Sequence, residues 1–411
     1  MNIVVIGAGQ AAIAFAAKMR QLDEAADITL IGEEQSLPYQ RPPLSKKYMT
    51  GEIEAERLLL RSDDWYTENR VECLVGTRAT AINLADKTVT TPKAAIAFDK
   101  LVIATGSRPR KLPEAIGGNL AGVHTLRDLN DADRIGTEIG PGINKGKQAL
   151  IIGGGYIGLE AAAVLATRGM KVRVVETADR ILQRVAASQT SDFVRAEHQR
   201  HGVEIMEGVS LTSLEASDGR VTKALFEQGP ALAADMVLVG IGVLPNMEIA
   251  RDTGLVCGNG IEVDELTRTS HPDIHAAGDV ASFEFPPKSE NGNRIRLESV
   301  QNAIDQAEHA AKVIAGGTTP YRPYPWFWSD QYEMKLQIAG LNMGYDRTVV
   351  RPGSREGGQS VWYFKQGQFI AVDAINDSRA YMFGKKILEL GREITPDQAS
   401  DAGFDLKGLI G

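Results

Sequence analysis

A chain of 411 residues exceeds what one hydrophobic core usually serves, so two or three domains are expected. With 43% apolar and 24% charged residues, and no apolar run near membrane-span length, it reads as a soluble globular enzyme with no place for a membrane. Its 45 basic and 53 acidic side chains leave a net charge of −8, which argues against a nucleic-acid binder but allows a local basic patch for an acidic protein.

From MNIVVIGAGQ onward the chain enters an apolar run with neither a charged leader nor a cleavage site, so a cytoplasmic location is expected. Strand, glycine turn, helix and strand follow in NIVVIGAGQAAIAFAAKMRQLDEAADITLIGEE, where Gly7, Gly9 and Ala12 form G-x-G-x-x-A. Gly7 permits the tight turn, Gly9 lets a pyrophosphate approach the backbone, and Ala12 allows close packing. The helix start supplies unpaired N–H groups and positive dipole to phosphates. Glu33, after the second strand, is placed to accept hydrogen bonds from a ribose. Taken alone, the motif fits a ligand-free strand-to-helix turn equally well. Next, Pro42-Pro43 reads as a rigid turn and ATAINLADKTVTT as an exposed hairpin turning at Ala85-Asp86-Lys87. The buried strand of FDKLVIATGSRPR then ends on Ala104-Thr105-Gly106.

The pattern recurs in QALIIGGGYIGLEAAAVLATRGMKVRVVET, with Gly153, Gly155 and Gly158 as G-x-G-x-x-G and Glu176 ending the next strand. ADMVLVGIGVLPN ends on Gly240-Ile241-Gly242. In both copies this last strand follows its phosphate loop by roughly 90 to 100 residues, so the chain contains an internal duplication and two dinucleotides are expected. RTSHPDIHAAGDV is a short strand entering Gly278-Asp279, where the aspartate alone is as readily a turn residue as a ligand. RLESVQNAIDQAEHAAKVIAGG then starts a helix near Ser299 that stops at Gly316-Gly317. The first nucleotide domain is therefore expected to be discontinuous, 1–110 with 248–318, around an inserted 111–247. Residues 319–411 form a smaller α+β domain, consistent with the strand-like SVWYFKQGQFIAVDAIN.

Only Cys73 and Cys257 are present, far apart, so neither a disulfide framework nor a cysteine-ligated cluster is expected and any iron–sulfur centre must belong to a partner. The six histidines (His124, His198, His201, His271, His275, His309) contain no H-E-x-x-H. His198 and His201 are placed on a solvated helix rather than at a metal, and no metal is assigned.

Together these elements resemble the two-dinucleotide flavoprotein reductases of the glutathione-reductase fold over nearly all of the chain. The fold class implied is α/β, with two Rossmann-like dinucleotide-binding domains, one inserted in the other, plus a C-terminal α+β domain. PYQRPPLSKKY, GGGYIGLE, GIGVLPN, AAGDV, RLESVQNA and PWFWSDQY resemble the NADH-dependent ferredoxin reductases of the putidaredoxin-reductase type, which feed haem monooxygenases and aromatic-ring dioxygenases.

The resemblance implies FAD on the first unit, at Gly7, Gly9, Ala12, Glu33, Ala104, Thr105, Gly106 and the ribityl-binding Asp279, with Arg41 and Pro42 along its pyrophosphate and adenosine. Ser299, Val300 and Gln301 open a helix toward the flavin ring. NADH falls to Gly153, Gly155, Tyr156, Ile157, Gly158, Glu160, Glu176, Arg180, Gly240, Ile241 and Gly242. A carboxylate at Glu176 binds the ribose hydroxyls and repels a 2′-phosphate, so NADH is preferred over NADPH. Arg173 and Arg180 are near enough in sequence to soften that preference, or Arg180 stacks on adenine. Lys46 matches the family lysine beside the flavin and nicotinamide, and Glu160 its acidic partner. Both orient, because hydride transfer needs no protein nucleophile or general base.

The disulfide reductases of this fold carry a C-x-x-C, and the NADH oxidase and peroxidase branch a single redox cysteine, on the helix where this chain reads PPLSKKY. Reduced FAD must then pass electrons on directly, which suits a one-electron iron–sulfur acceptor. The partner implied is an acidic two-iron, two-sulfur ferredoxin, with a downstream oxygenase reached indirectly. Docking cations are sought among Arg294, Arg296, Lys385 and Lys386, each of which also suits a plain solvated face. Rubredoxin or monodehydroascorbate-type NADH reductases, and an apoptosis-inducing-factor-like scaffold, share both nucleotide units. Neither the ferredoxin nor a choice between monomer and homodimer follows from the sequence. The family commonly follows Asn376 with Arg-Pro where this chain has Asp377-Ser378, a candidate for partner selection. In PWFWSDQY, Trp326 and Phe327 read as core filler and Trp328 as the flavin-side indole shaping the electron exit.

Overall fold

The structure, a computed structural model, describes residues 1–140, 144–285 and 293–411. It divides into two compact units. The first comprises Met1–Gln40, Ala55–Arg108 and Val243–Pro323; the second comprises Arg41–Glu54, Pro109–Gly242 and Tyr324–Gly411.

The first unit is built on a parallel sheet in the order Ile274–Ala276, Lys100–Ile103, Asn2–Ile6, Asp27–Ile31, Val71–Leu74. Parallel strands need cover on both faces, which is why Ile3, Val4 and Val5 are all buried instead of alternating in and out. One face is covered by the helices Gln10–Leu22 and Val300–Ile314. Ala11, Ala12, Ala303, Ala307 and Ala310 permit their close approach, and Phe15 and Met19 fill the space beside the sheet. A fully buried side chain such as Phe15 contributes about 1.5–3 kcal/mol over its exposed state. The opposite face carries the antiparallel Ala81–Asn83, Thr88–Thr90 and Ala95–Ala97, whose Ile82 and Val89 reach the same core as Leu101 and Ile103. Its first turn falls at Ala85-Asp86-Lys87 as expected: the Asn83 side-chain oxygen accepts from the Ala85 and Asp86 amides, and Lys87 adopts φ 48°.

The second unit repeats the plan. Its parallel sheet runs Glu204–Glu207, Lys171–Glu176, Gln148–Ile152, Met236–Val239, Val123–His124. Loop-bearing strand, neighbour and outer strand follow in the same spatial order as in the first unit. The duplication differs in chain order only at one edge: that strand comes late in the chain in the first unit, as Ile274–Ala276, and early in the second, as Val123–His124. The antiparallel Leu211–Ser217, Arg220–Phe226 and Leu232–Ala233 pack on it through Leu214, Val221 and Ala224.

The same unit includes the antiparallel sheet Trp326–Gln331, Met334–Gly340, Gln368–Ile375, Gln359–Lys365, Arg347–Pro352. One face buries Trp362, Phe364 and Val372 against Phe383 and Ile387 of the helix Ser378–Glu389. Leu336 and Ile375 meet Leu159, Ile181 and Val194 on the other. Among the described residues no helix is long and apolar enough to cross a membrane.

Candidate active site

At the end of the strand Asn2–Ile6, Gly7 has φ 131°, and a Cβ there would lie 2.2 Å from the Ala104 carbonyl oxygen. Any side chain is excluded by both conformation and space. The Ala104 amide donates to the Ile6 carbonyl at 2.8 Å and so brings Ala104-Thr105-Gly106 against the loop. Thr105 is tied to Asn246, donating through Oγ1 to its carbonyl at 2.6 Å and accepting at its own carbonyl from Nδ2 at 3.0 Å. Gly9 differs from Gly7: a Cβ there would meet nothing within 4 Å. It is the N-cap of Gln10–Leu22 and no side chain caps that helix. Packing does not demand this glycine, whereas a pyrophosphate laid against bare first-turn amides does.

The second loop has the same construction. Gly153 has φ 106° and an added Cβ would lie 2.4 Å from the Gly240 carbonyl oxygen, while the Gly240 amide donates to Ile152 at 2.7 Å. Gly155, the N-cap of Tyr156–Thr167, is also uncapped and also faces open space. A Cβ on Gly158 would lie 2.2 Å from the Gly153 carbonyl oxygen. Asp128 and Ser299 cap their helices by accepting from the Asp131 and Asn302 amides, but Asp63–Glu68, Ser188–Arg200 and Glu248–Asp252 also lack a side-chain cap. What sets the two loop helices apart is a glycine N-cap facing open space directly after a glycine cradle. Bare helix starts at both phosphate loops therefore fit a dinucleotide at each.

The acids after the loops are held differently. Glu33 is exposed and pairs with Arg78 at 2.9 Å. Glu176 accepts from the Gly154 amide at 2.7 Å and the Ala178 amide at 2.9 Å, which fixes its carboxylate beside the loop. Arg173 is bound to Glu204 at 2.8 Å and Gln148 at 2.7 Å. Arg180 donates to the Ser191 hydroxyl at 2.5 Å and the Ala186 carbonyl at 2.8 Å. Both guanidiniums are engaged within their own unit, so neither stands free to offset Glu176. In the first unit Asp279 accepts from the Ser107 hydroxyl at 2.8 Å. The Ser299 hydroxyl serves as a cap, which leaves the Val300 and Gln301 amides outside that bond.

In the second unit Lys46 and Glu160 meet at 3.0 Å, the lysine side chain 23% exposed and the glutamate 8%. Two contacts escaped the sequence: Ser45 donates to Glu160 Oε2 and Ser329 to Oε1, each at 2.7 Å. The only sequence cue was a small hydroxyl directly after Trp328. Arg41 donates to the Arg127 carbonyl at 2.8 Å, and Pro42 opens the short 3-10 turn Pro42–Ser45 that carries Lys46 at its end. Strand alternation sorts the aromatics otherwise than expected. Trp326 and Trp328, 5.7 Å apart, share one face and Phe327 takes the other, 4.8 Å from Tyr156, all three being partly buried. Trp326 is thus the companion of Trp328, also 6.4 Å from the Tyr381 ring, and Phe327 stands on the opposite face.

Several other expectations change. His198 is fully buried instead of solvated. His201 is the partly exposed member of the pair and clusters with Glu197 and Glu333, where Glu197 already accepts from Arg200 at 2.6 Å. Arg296 is turned inward, 8% exposed, donating to the Asp279 carbonyl and paired with Glu298. Arg294 donates to the Val263 and Ser282 carbonyls, and Lys385 and Lys386 both pair with Glu389. Asp377 caps Ser378–Glu389 by accepting from the Ala380 amide at 3.2 Å, which gives half of the Asp377-Ser378 departure a local structural cause. Burial pushes the Cys73 thiol up to about 11 and raises Cys257, so neither is primed as a thiolate.

A family model described as pyridine nucleotide-disulphide oxidoreductase matches residues 1–307, and one described as reductase C-terminal matches residues 326–410. Rhodocoxin reductase of Rhodococcus erythropolis is 40% identical over 411 residues, covering 100% of this chain and 94% of its own length. Putidaredoxin reductase CamA of Pseudomonas putida is 38% identical over 415 residues, with 100% and 96% covered. The solved covalent putidaredoxin reductase–putidaredoxin complex matches with a TM-score of 0.93 at 38% identity, covering 100% of this chain and 98% of that one. Two glycine cradles, two bare helix starts and a full-length match lead to one conclusion: the chain belongs to the pyridine nucleotide-disulphide oxidoreductase family, in the ferredoxin-reductase group that carries the reductase C-terminal domain.

Proposed function

We propose that this chain is an FAD-containing, NADH-dependent ferredoxin reductase whose acceptor is an acidic two-iron, two-sulfur ferredoxin serving a haem monooxygenase or ring-hydroxylating dioxygenase. The observation that carries the reading is the pair of uncapped, glycine-cradled helix starts in a chain whose two cysteines are held as thiols. When bound, FAD accepts a hydride from NADH and releases electrons singly, which needs no thiol relay.

On this reading 1–110 with 248–318 hold FAD, 111–247 hold NADH, and 319–411 form the interface domain. Gly7 and Gly9 leave room for the FAD pyrophosphate, Ala12 packs the helix, Glu33 takes ribose hydroxyls and Asp279 the ribityl chain. The amides of Val300 and Gln301 face the flavin ring. Gly153, Gly155 and Gly158 do the corresponding work for NADH, with Tyr156, Ile157, Gly240, Ile241 and Gly242 lining it and Arg180 near its adenine. Glu176, already fixed by two amides, discriminates against a 2′-phosphate by charge. Lys46 and Glu160 orient the nicotinamide, and no residue serves as general base. A cytoplasmic location accords with two unpaired cysteines.

The test is anaerobic mixing of the flavin-loaded protein with NADH, NADPH and a panel of purified iron–sulfur acceptors. NADH reduces the flavin faster than NADPH, and a two-iron ferredoxin then reoxidises it. Reoxidation by rubredoxin or monodehydroascorbate instead would transfer the assignment to those acceptors, and negligible turnover with all of them would favour a scaffold role.

A further inference from the structure

Glu160 stands at one end of a buried row of hydrogen-bond donors. Ser329 Oγ donates to Glu160 Oε1 at 2.7 Å, Gln331 Nε2 to Ser329 Oγ at 3.1 Å, and His198 Nε2 meets Gln331 Oε1 at 2.7 Å. Beyond the imidazole, Tyr332 OH lies 3.5 Å from Nδ1, and its ring stacks on His201 at 3.6 Å. Ser329 and His198 are fully buried and Gln331 is 1% exposed. The row is assembled by two simple periodicities. Phe327, Ser329 and Gln331 alternate onto the inner face of Trp326–Gln331, and Tyr156 and Glu160, four apart on Tyr156–Thr167, face Phe327 and Ser329.

The bond directions are settled by chemistry. A carboxylate only accepts, so Ser329 must spend its proton on Glu160 and accept from Gln331. The Gln331 amide is then oriented with its oxygen toward His198, which must present Nε2–H. Burial lowers the His198 imidazole below its ordinary range, opposed by its bond to Gln331 and the Glu197 carboxylate and helped by His201, so the ring is neutral at neutral pH. A neutral ring with Nε2–H leaves Nδ1 to accept from Tyr332. Every donor thus points toward Glu160, and successive bonds polarise one another. The other oxygen of Glu160 faces Ser45 and Lys46.

We propose that Ser329, Gln331 and His198 are positioning residues that hold the Glu160 side chain at a fixed angle against Lys46. The proposal rests on the reading that Lys46 and Glu160 orient the nicotinamide. Removing the Ser329 hydroxyl takes away one of the donors that fix the carboxylate, so NADH-driven flavin reduction slows while the apparent KM for NADH changes little. Lys46, Ser45 and Ser329 meet this acid directly, and the far end of the row carries His201, Glu197 and Glu333, with Glu197 paired to Arg200.

The experiment compares the wild-type holoenzyme with Glu160→Gln, Ser329→Ala, Ser329→Thr and Gln331→Leu, using the limiting rate of flavin reduction and the apparent KM for NADH. A second readout is histidine-selective ¹⁵N labelling of the six rings. Ser329→Ala and Gln331→Leu are expected to slow the limiting rate of reduction roughly tenfold with the apparent KM for NADH little changed, Ser329→Thr to restore most of the rate, and the wild-type His198 ring to carry its proton on Nε2. If Glu160→Gln slows reduction while Ser329→Ala and Gln331→Leu match wild type, the row is only core and the proposal falls alone. If Glu160→Gln has no effect, the reading of the Lys46–Glu160 pair falls and takes the proposal with it. A wild-type His198 protonated on Nδ1 overturns the row without any variant.

Discussion

The two phosphate loops are the same device built twice, and their differences are more informative than their likeness. Gly7 and Gly153 both adopt positive φ and both lie against a carbonyl, Ala104 or Gly240, that no side chain would tolerate. The third position diverges. Ala12 carries its methyl fully buried, whereas a methyl on Gly158 would strike the Gly153 carbonyl, so the second helix start sits tighter on its loop. The acids diverge as well. Glu33 is paired at the surface with Arg78, and Glu176 is pinned by two loop amides. The cradle is dictated by the fold, while the residues around it decide what each copy holds and how strictly.

The comparison is broken most severely at the cradle. Gly7→Ala should abolish flavin retention, while Gly153→Ala should retain flavin and lose its reduction by NADH, as strain at each site costs on the order of 1–3 kcal/mol beyond the steric clash. Flavin content by absorbance and single-turnover reduction read the two separately. Next comes Glu176→Ala, which on the proposed reading removes charged hydrogen bonds to ribose and the repulsion of a 2′-phosphate. The ratio of kcat/KM for NADH over NADPH should fall about 10–100-fold, with flavin content unchanged.

Acid acts on the two units in opposite senses. In the second, Asp373 is fully buried and accepts from Thr190 and Tyr363, yet its Oδ1 has no partner. Burial outweighs those bonds and raises its carboxyl from 3.8 to about 6. The folded state therefore holds this proton more tightly than the unfolded one. Its contribution is greatest below about pH 4, declines as pH rises toward about 6, and is a net cost at neutrality. Asp373→Asn should raise stability at pH 7 by on the order of 2–3 kcal/mol and flatten the slope between pH 4 and 6 in thermal melts. In the first unit Lys100 and Lys87 hydrogen-bond Asp273 and lower it from 3.8 to about 2. That contribution is present above about pH 4 and lost as pH falls through about 2, so Asp273→Asn should remove a small part of the acid transition only.

The cradles were legible because the turns, bare helix starts and closing strands each leave a glycine at a fixed spacing. The hairpin at Ala85-Asp86-Lys87 was legible for the same local reason. What local pattern could not reveal was tertiary commitment. His198 is buried by Gln331, 133 residues away; Arg296 turns inward to the Asp279 carbonyl; and Glu160 is gripped by Ser45 and Ser329 from distant segments. Trp326 and Trp328 share a face because a strand alternates with period two, a rule available in the sequence but applied to the wrong pair. The edge strand Val123–His124 has only two residues and no flanking signal of its own.

On the proposed function, electrons enter at the second loop, reside at the first and leave singly. Anaerobic stopped-flow mixing of NADH-reduced holoenzyme with an excess of two-iron, two-sulfur ferredoxin tests it directly. Each reduced flavin is expected to be reoxidised as two ferredoxins each gain one electron. A flavin that stays reduced in the presence of every such ferredoxin, while passing its electrons to a two-electron acceptor, would contradict it.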